Sequence, residues 1–77
     1  MRLHIYSLSQ TLHEGDAESV SLPTESGEIA VLNQHIPLVT TLKLGKIVVR
    51  NKTEENEINV HGGVAYTDGK ELVVLAD

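Results

Sequence analysis

The sequence predicts an all-β fold, a small antiparallel β-sandwich of about nine short strands, and three observations carry that prediction. Apolar residues recur with a period close to two, turn residues break the pattern every eight to twelve positions or so, and no amphipathic helical stretch intervenes. Strands arriving at that spacing suit an antiparallel sandwich or barrel. Leu3, Ile5 and Leu8 mark the opening strand, and Val20 with Leu22 marks a later one. Ile47 with Val49, Ile58 with Val60, and Leu72 with Val74 repeat the pattern. Between them stand the turn words Glu14-Gly15-Asp16, Thr24-Glu25-Ser26-Gly27, Leu44-Gly45-Lys46, Asn51-Lys52-Thr53 and Thr67-Asp68-Gly69-Lys70. Each supplies a residue that tolerates positive φ or caps a turn through its own side chain. Asp68-Gly69, between Val64-Ala65-Tyr66-Thr67 and Glu71-Leu72-Val73-Val74, is a hairpin signal. Pro23 and Pro37 are expected at strand ends or in loops, since neither can donate to a ladder.

With 77 residues the chain makes one domain, and a domain this small hides only about 60% of the surface its unfolded form exposes. Apolar residues make up 40% of it, but Phe and Trp are absent and Tyr6 and Tyr66 are the only aromatics. The core must therefore be built from Val, Ile and Leu, which pack well on pleated sheets. There is no Cys, which excludes disulfides, thiolate metal sites and a Cys nucleophile. No apolar run approaches the ~20 residues of a membrane span, and no signal-peptide core opens the chain, so a cytosolic protein without membrane insertion is expected. The net charge of −5 argues against nucleic acid and anionic lipid as partners, because both are bound by clustered Lys and Arg. Protein partners that are locally basic or apolar fit better.

No catalytic set emerges. His35, two residues before Pro37, could serve as a base or a metal ligand, but His4, His13 and His61 are scattered with no ligand spacing, so no metal or cofactor is expected. Glu25 and Glu28 could form a carboxylate pair for acid–base hydrolysis, yet no nucleophile or aromatic pocket accompanies them. Gly62-Gly63 lacks the helix and the Lys-Ser/Thr pair of a phosphate loop, and reads as a bulge or tight turn. Asn51-Lys52-Thr53 matches the glycosylation pattern by composition alone. Glu54, Glu55 and Glu57 read as a solvated hairpin flank that discourages edge-to-edge pairing.

The run from Gly15 to Gly45 reads GDAESVSLPTESGEIAVLNQHIPLVTTLKLG, with the words Ser26-Gly27-Glu28-Ile29 and His35-Ile36-Pro37-Leu38 and a closing Leu42-Lys43-Leu44-Gly45 step. Gly62-Gly63-Val64-Ala65 and Val73-Val74-Leu75-Ala76-Asp77 end the chain. This ordered set resembles the amino-terminal β-sandwich of the epsilon subunit of F-type ATP synthase, over nearly the whole chain. Asn33-Gln34 departs from the family's Pro-Gly before the His. Leu12-His13 stands where an aromatic is common, and Ala30 where Gly is.

The resemblance implies a non-catalytic rotor subunit of the central stalk, peripheral to the membrane and, in a bacterium, on the cytoplasmic face of the inner membrane. One face of the sandwich would clasp the gamma subunit while its lower edge rests on the polar loops of the c-ring, coupling proton translocation to ATP synthesis. Glu28, Ile29, Val31 and Leu32 are the implied c-ring contacts, the carboxylate facing a basic residue on the ring loops, while the three aliphatics read equally well as core. His35, Leu38 and Val39 are the implied gamma contacts. Family members usually continue into a two-helix tail that restrains hydrolysis and in some binds ATP. This chain stops at Asp77, so residues 1–77 are expected to form the sandwich with no helical C-terminal domain, as a naturally tail-less form or a truncated one. Two other classes stay open on the residues alone: a free-standing β-sandwich that binds a ligand or protein, and a small hydrolase using Glu25, Glu28 and His35.

Overall fold

Period-two alternation becomes nine strands among the described residues of the computed structural model, which describes residues 1–33 and 37–77. They are β1 (Arg2–Tyr6), β2 (Thr11–Asp16), β3 (Ser19–Thr24), β4 (Gly27–Leu32), β5 (Leu38–Leu42), β6 (Gly45–Arg50), β7 (Glu55–Val60), β8 (Gly63–Thr67) and β9 (Glu71–Ala76). Two layers result. One runs β2-β1-β9-β8-β5 and the other β4-β3-β6-β7, and they join at a corner where Thr24 of β3 pairs with Leu42 of β5. All neighbours are antiparallel except β1 and β9, which pair in parallel from Arg2↔Glu71 to Tyr6↔Leu75. A parallel pair needs a long crossover, and here the whole intervening chain provides it.

The predicted inward residues are inward. Leu3, Ile5, Val20, Leu22, Ile47, Val49, Leu72 and Val74 are all buried in one cluster drawn from both layers. No aromatic side chain belongs to that core, so it is as aliphatic as the composition requires. Leu12 packs against it from β2.

Two local expectations are corrected. Leu8 does not continue β1. The chain turns at Ser7, whose N–H donates to the Gln10 carbonyl at 2.8 Å, and Leu8 stands fully in solvent at the hairpin tip. Glu14-Gly15-Asp16 is not a turn but the end of β2, paired with His4, Leu3 and Arg2. Pro23 lies one residue inside the end of β3, where the ladder to β6 has already stopped at Ser21, so it has a strand partner on the β4 side alone.

The pairing also sorts the turns into two ends. Thr24, Leu42, Gly63 and Ala76 lie at one level, so the β3–β4 turn, the β5–β6 turn and Asp77 share one end of the sandwich. The β8–β9 turn and the start of β5 lie at the other.

Candidate functional site

The β3–β4 connection begins at Thr24, whose side chain is buried and whose hydroxyl donates to the Gly27 carbonyl and accepts from the Ser26 N–H at 3.2 Å. Such local side-chain bonds close a tight turn without help from a neighbour. The β5–β6 turn is fastened beside it: the Lys43 N–H donates to the Pro23 carbonyl at 2.9 Å and the Glu25 N–H to the Thr41 carbonyl at 3.4 Å. Beyond this turn β4 pairs with β3 along its full length, from Thr24↔Gly27 to Ser19↔Leu32, and with no other strand among the described residues.

Alternation along β4 divides the four implied ring contacts. Glu28 and Leu32 face outward and are exposed, Leu32 at 55%. Ile29 is half-buried against the core. Val31 is fully buried, so its side chain fills the interior and offers a partner nothing. A period-two strand cannot present consecutive residues on one face, so four contacts spread over Glu28 to Leu32 could not all point outward. Ala30, between Glu28 and Leu32, shares their outward face.

Of the implied gamma contacts, His35 lies outside the described residues. Leu38 opens β5 half-buried, and Val39 points outward with 67% of its surface exposed. Val39 lies opposite Tyr66 of β8, Tyr66 lies opposite Val73 of β9, and Val64 lies opposite Leu75. Val64, Tyr66 and Leu75 are all exposed large apolar residues, so Val39 belongs to an apolar face spanning three strands. Sequence reasoning named Val39 and missed the rest. The signal was present in Leu72-Val73-Val74-Leu75-Ala76, where both phases of a strand are apolar: the inner phase fills the core and the outer phase is left over.

The same sheet turns polar toward β1 and β2. His4 bonds Glu14 Oε2 through Nδ1 at 3.1 Å and approaches Glu71 Oε1 through Nε2 at 3.5 Å. Its ring stacks on Tyr6 with centroids 5.9 Å apart, and the Tyr6 hydroxyl reaches Glu14 at 3.4 Å. The hydrogen bond from His4 holds the Glu14 carboxyl below its ordinary value. Desolvation, with the Glu14 charge behind it, pushes the Tyr6 phenol up. Among the described residues no group of three His, Asp or Glu could hold a metal, and no cavity opens. Glu25 and Glu28 sit on the exposed turn and strand.

The family model for the ATP synthase delta/epsilon chain β-sandwich domain matches residues 1–77. The chain belongs to that family. The ATP synthase epsilon chain of the Tetradesmus obliquus chloroplast is 35% identical over 77 residues, covering 100% of this chain and 57% of that protein. The epsilon chain of Prochlorococcus marinus is 37% identical over 75 residues, covering 97% of this chain and 56% of the relative. The chain thus spans little more than half the length of these epsilon relatives. Among solved structures, a chain in the cryo-EM structure of the Euglena gracilis mitochondrial ATP synthase, containing OSCP, F1 and c-ring, superposes with a TM-score of 0.88 at 19% identity, covering 96% of this chain and 48% of its own. A chain of the Tetrahymena thermophila mitochondrial ATP synthase central stalk and c-ring gives 0.75 at 14% identity, covering 96% and 62%. At these identities the likeness establishes the shared sandwich fold.

Proposed function

We propose that this domain acts without catalysis as the coupling clamp of an F-type ATP synthase central stalk, binding gamma through the β5–β8–β9 face and resting on the c-ring loops through the outward side of β4. The observation that carries the reading is the apolar face itself: Val39, Val64, Tyr66 and Leu75 adjoin one another across three strands on a domain of net charge −5. Contiguous exposed apolar surface of this kind marks a protein interface. Tyr66 is the anchor, because aromatic side chains dominate interface energetics. On β4, Glu28 and Leu32 carry the ring contact, with Ile29 behind them and Val31 supporting from the core. Glu28 would orient docking through charge more than it would add affinity.

In this role the domain sits peripherally on the membrane, on the side where the ring's polar loops emerge, which in a bacterium is the cytoplasmic face of the inner membrane. Rotation driven by proton flow then reaches gamma without slip.

The test is binding of purified gamma to the wild-type domain and to Val39→Ala and Tyr66→Ala, measured by calorimetry. Each truncation should weaken binding by roughly tenfold, about 1.4 kcal/mol, with the unfolding midpoint unchanged. A wild-type domain that does not bind gamma would leave the free-standing binding module as the better reading. A crosslinker placed at position 39 that never captures gamma in the assembled complex would remove this face from the reading.

A further inference from the structure

The β8–β9 hairpin turns on Asp68-Gly69, the dipeptide in which a backbone nitrogen most readily attacks the preceding side-chain carboxyl, because Gly has no side chain to shield it. Attack by the Gly69 nitrogen on Asp68 Cγ forms a C–N bond and expels the carboxyl oxygen as water, leaving a five-membered succinimide. Water then opens that ring at either carbonyl, returning aspartate or giving isoaspartate, in which the main chain runs through Cβ and Cγ. No oxidant or further reactant is needed. The closure requires a protonated carboxyl and a nitrogen free to shed its proton and swing onto Cγ.

The fold opposes both requirements with named bonds. Asp68 Oδ1 accepts from the Glu71 N–H and from the Lys70 N–H, each at 2.9 Å. These two bonds, Glu71 first, hold the carboxyl below the ordinary aspartate value and so keep it ionised. The Gly69 N–H donates to Thr67 Oγ1 at 3.1 Å, and Thr67 is 1% exposed, its side chain fixed in the core. Gly69 meanwhile holds φ at 99°, a conformation other residues resist. The turn is clamped from outside as well, since the Arg2 N–H donates to the Lys70 carbonyl at 3.2 Å.

We propose that Asp68-Gly69 is a latched isoaspartate site, with Thr67 as the latch, so that modification occurs when the β8–β9 hairpin opens. The consequence is specific. The register Tyr66↔Val73 and Val64↔Leu75 depends on the length of this turn, and an extra backbone carbon would disturb the pairing that assembles the apolar face. The inference stands on the hairpin geometry and does not depend on the docking role.

The experiment incubates the protein in heavy-oxygen water, folded and in urea, and follows heavy-oxygen uptake in the peptide that trypsin releases between Lys52 and Lys70, located to Asp68 by fragmentation. Folded wild type should incorporate several-fold more slowly than the unfolded chain. Thr67→Val, once shown to be folded by circular dichroism, should incorporate several-fold faster than wild type, and Thr67→Ser, which keeps the hydroxyl, should return to the wild-type rate. Equal rates for folded and unfolded wild type, or a folded Thr67→Val at the wild-type rate, would overturn the proposal. Independently of any variant, the Gly69 amide should be protected from hydrogen exchange in the folded protein. A freely exchanging Gly69 amide would also overturn it.

Discussion

On the β5–β8–β9 side of the sandwich the outward positions are Val39, Thr41, Val64, Tyr66, Val73 and Leu75, with Glu71 the one charge among them at the far end of β9, whereas the outward positions of the β4-β3-β6-β7 sheet include Glu28, Ala30, Leu32, Lys46, Arg50, Glu55 and Glu57. Both sheets obey the same alternation and bury the same aliphatic side chains. They differ in what remains outside. The first keeps apolar surface in water at roughly 25 cal/mol per Å², an expense that a partner's surface would relieve. The second satisfies itself: Lys46 pairs with Glu57 at 3.2 Å, Arg50 with Glu55 at 3.3 Å, and Arg50 also donates to Ser21 Oγ at 3.2 Å. Exposed ion pairs of this kind add about 0–1 kcal/mol each and are screened by salt. On the proposed reading, the first face is the one that associates tightly and the second the one that orients.

The most damaging way to break the comparison is at the edge of the apolar face, where Gly63 begins β8 at a φ of 139°. A Cβ there would run into the Leu75 carbonyl oxygen and lie 2.9 Å from Ala76 Cα, both backbone atoms that cannot step aside. Gly63→Ala should cost about 3 kcal/mol or more through strain and overpacking combined, and abolish a folded population in a domain this small. Urea unfolding followed by circular dichroism reads this directly. A variant with a wild-type midpoint would mean that β8 and β9 are not held as close as described.

A smaller effect separates the two phases of β4. Val31→Ala removes buried methyl groups and should cost about 2 kcal/mol of stability, whereas Leu32→Ala, one residue along and outward, should leave the unfolding midpoint within about 0.5 kcal/mol of wild type. Reversed magnitudes would shift the register of β4 by one residue and put Val31 back among the ring contacts. Below these effects stands Arg50→Met, which loses a half-screened network on the second sheet and should cost about 0.5–1 kcal/mol, less at high salt.

These contrasts also mark how far the sequence could be read. Strand positions were legible wherever one phase was apolar and the other polar, as at Leu3-Ile5 or Val20-Leu22. Val31 could be read from the sequence as either core or contact, and only its phase on β4 decides for the core. Val64, Tyr66 and Leu75 escaped because a strand apolar in both phases gives no indication of which phase is outward until its neighbours are known. The parallel β1–β9 pair escaped for a different reason: it joins the two ends of the chain, and local patterning carries no information about a contact of that range. Glu14 was read as part of a turn because Gly15 follows it, although a Gly in a strand is tolerated where its partner, here Leu3, supplies the packing.

That misread Glu14 gives the smallest and most discriminating prediction, because it lies on the polar half of the first sheet, between the two kinds of face. Its carboxyl accepts from His4 and from Tyr6, and the His4 bond leads the effects that hold its folded value below the ordinary glutamate value of 4.5. A carboxyl depressed in the folded state contributes stability that is fully present above the unfolded value and is lost as the pH falls through the folded one. Wild type should therefore hold a small advantage over Glu14→Gln near neutral pH, and the two should converge once the carboxyl is protonated. Asp68 is depressed in the same direction, but its contribution is common to both proteins and cancels in the difference. Urea midpoints of the pair, measured from neutral pH down through that acid window, supply the readout. Midpoints separated by the same amount at every pH would show that the charge on Glu14 contributes nothing to stability through His4 and Tyr6, leaving that carboxylate as solvated as the charged pairs on the opposite sheet.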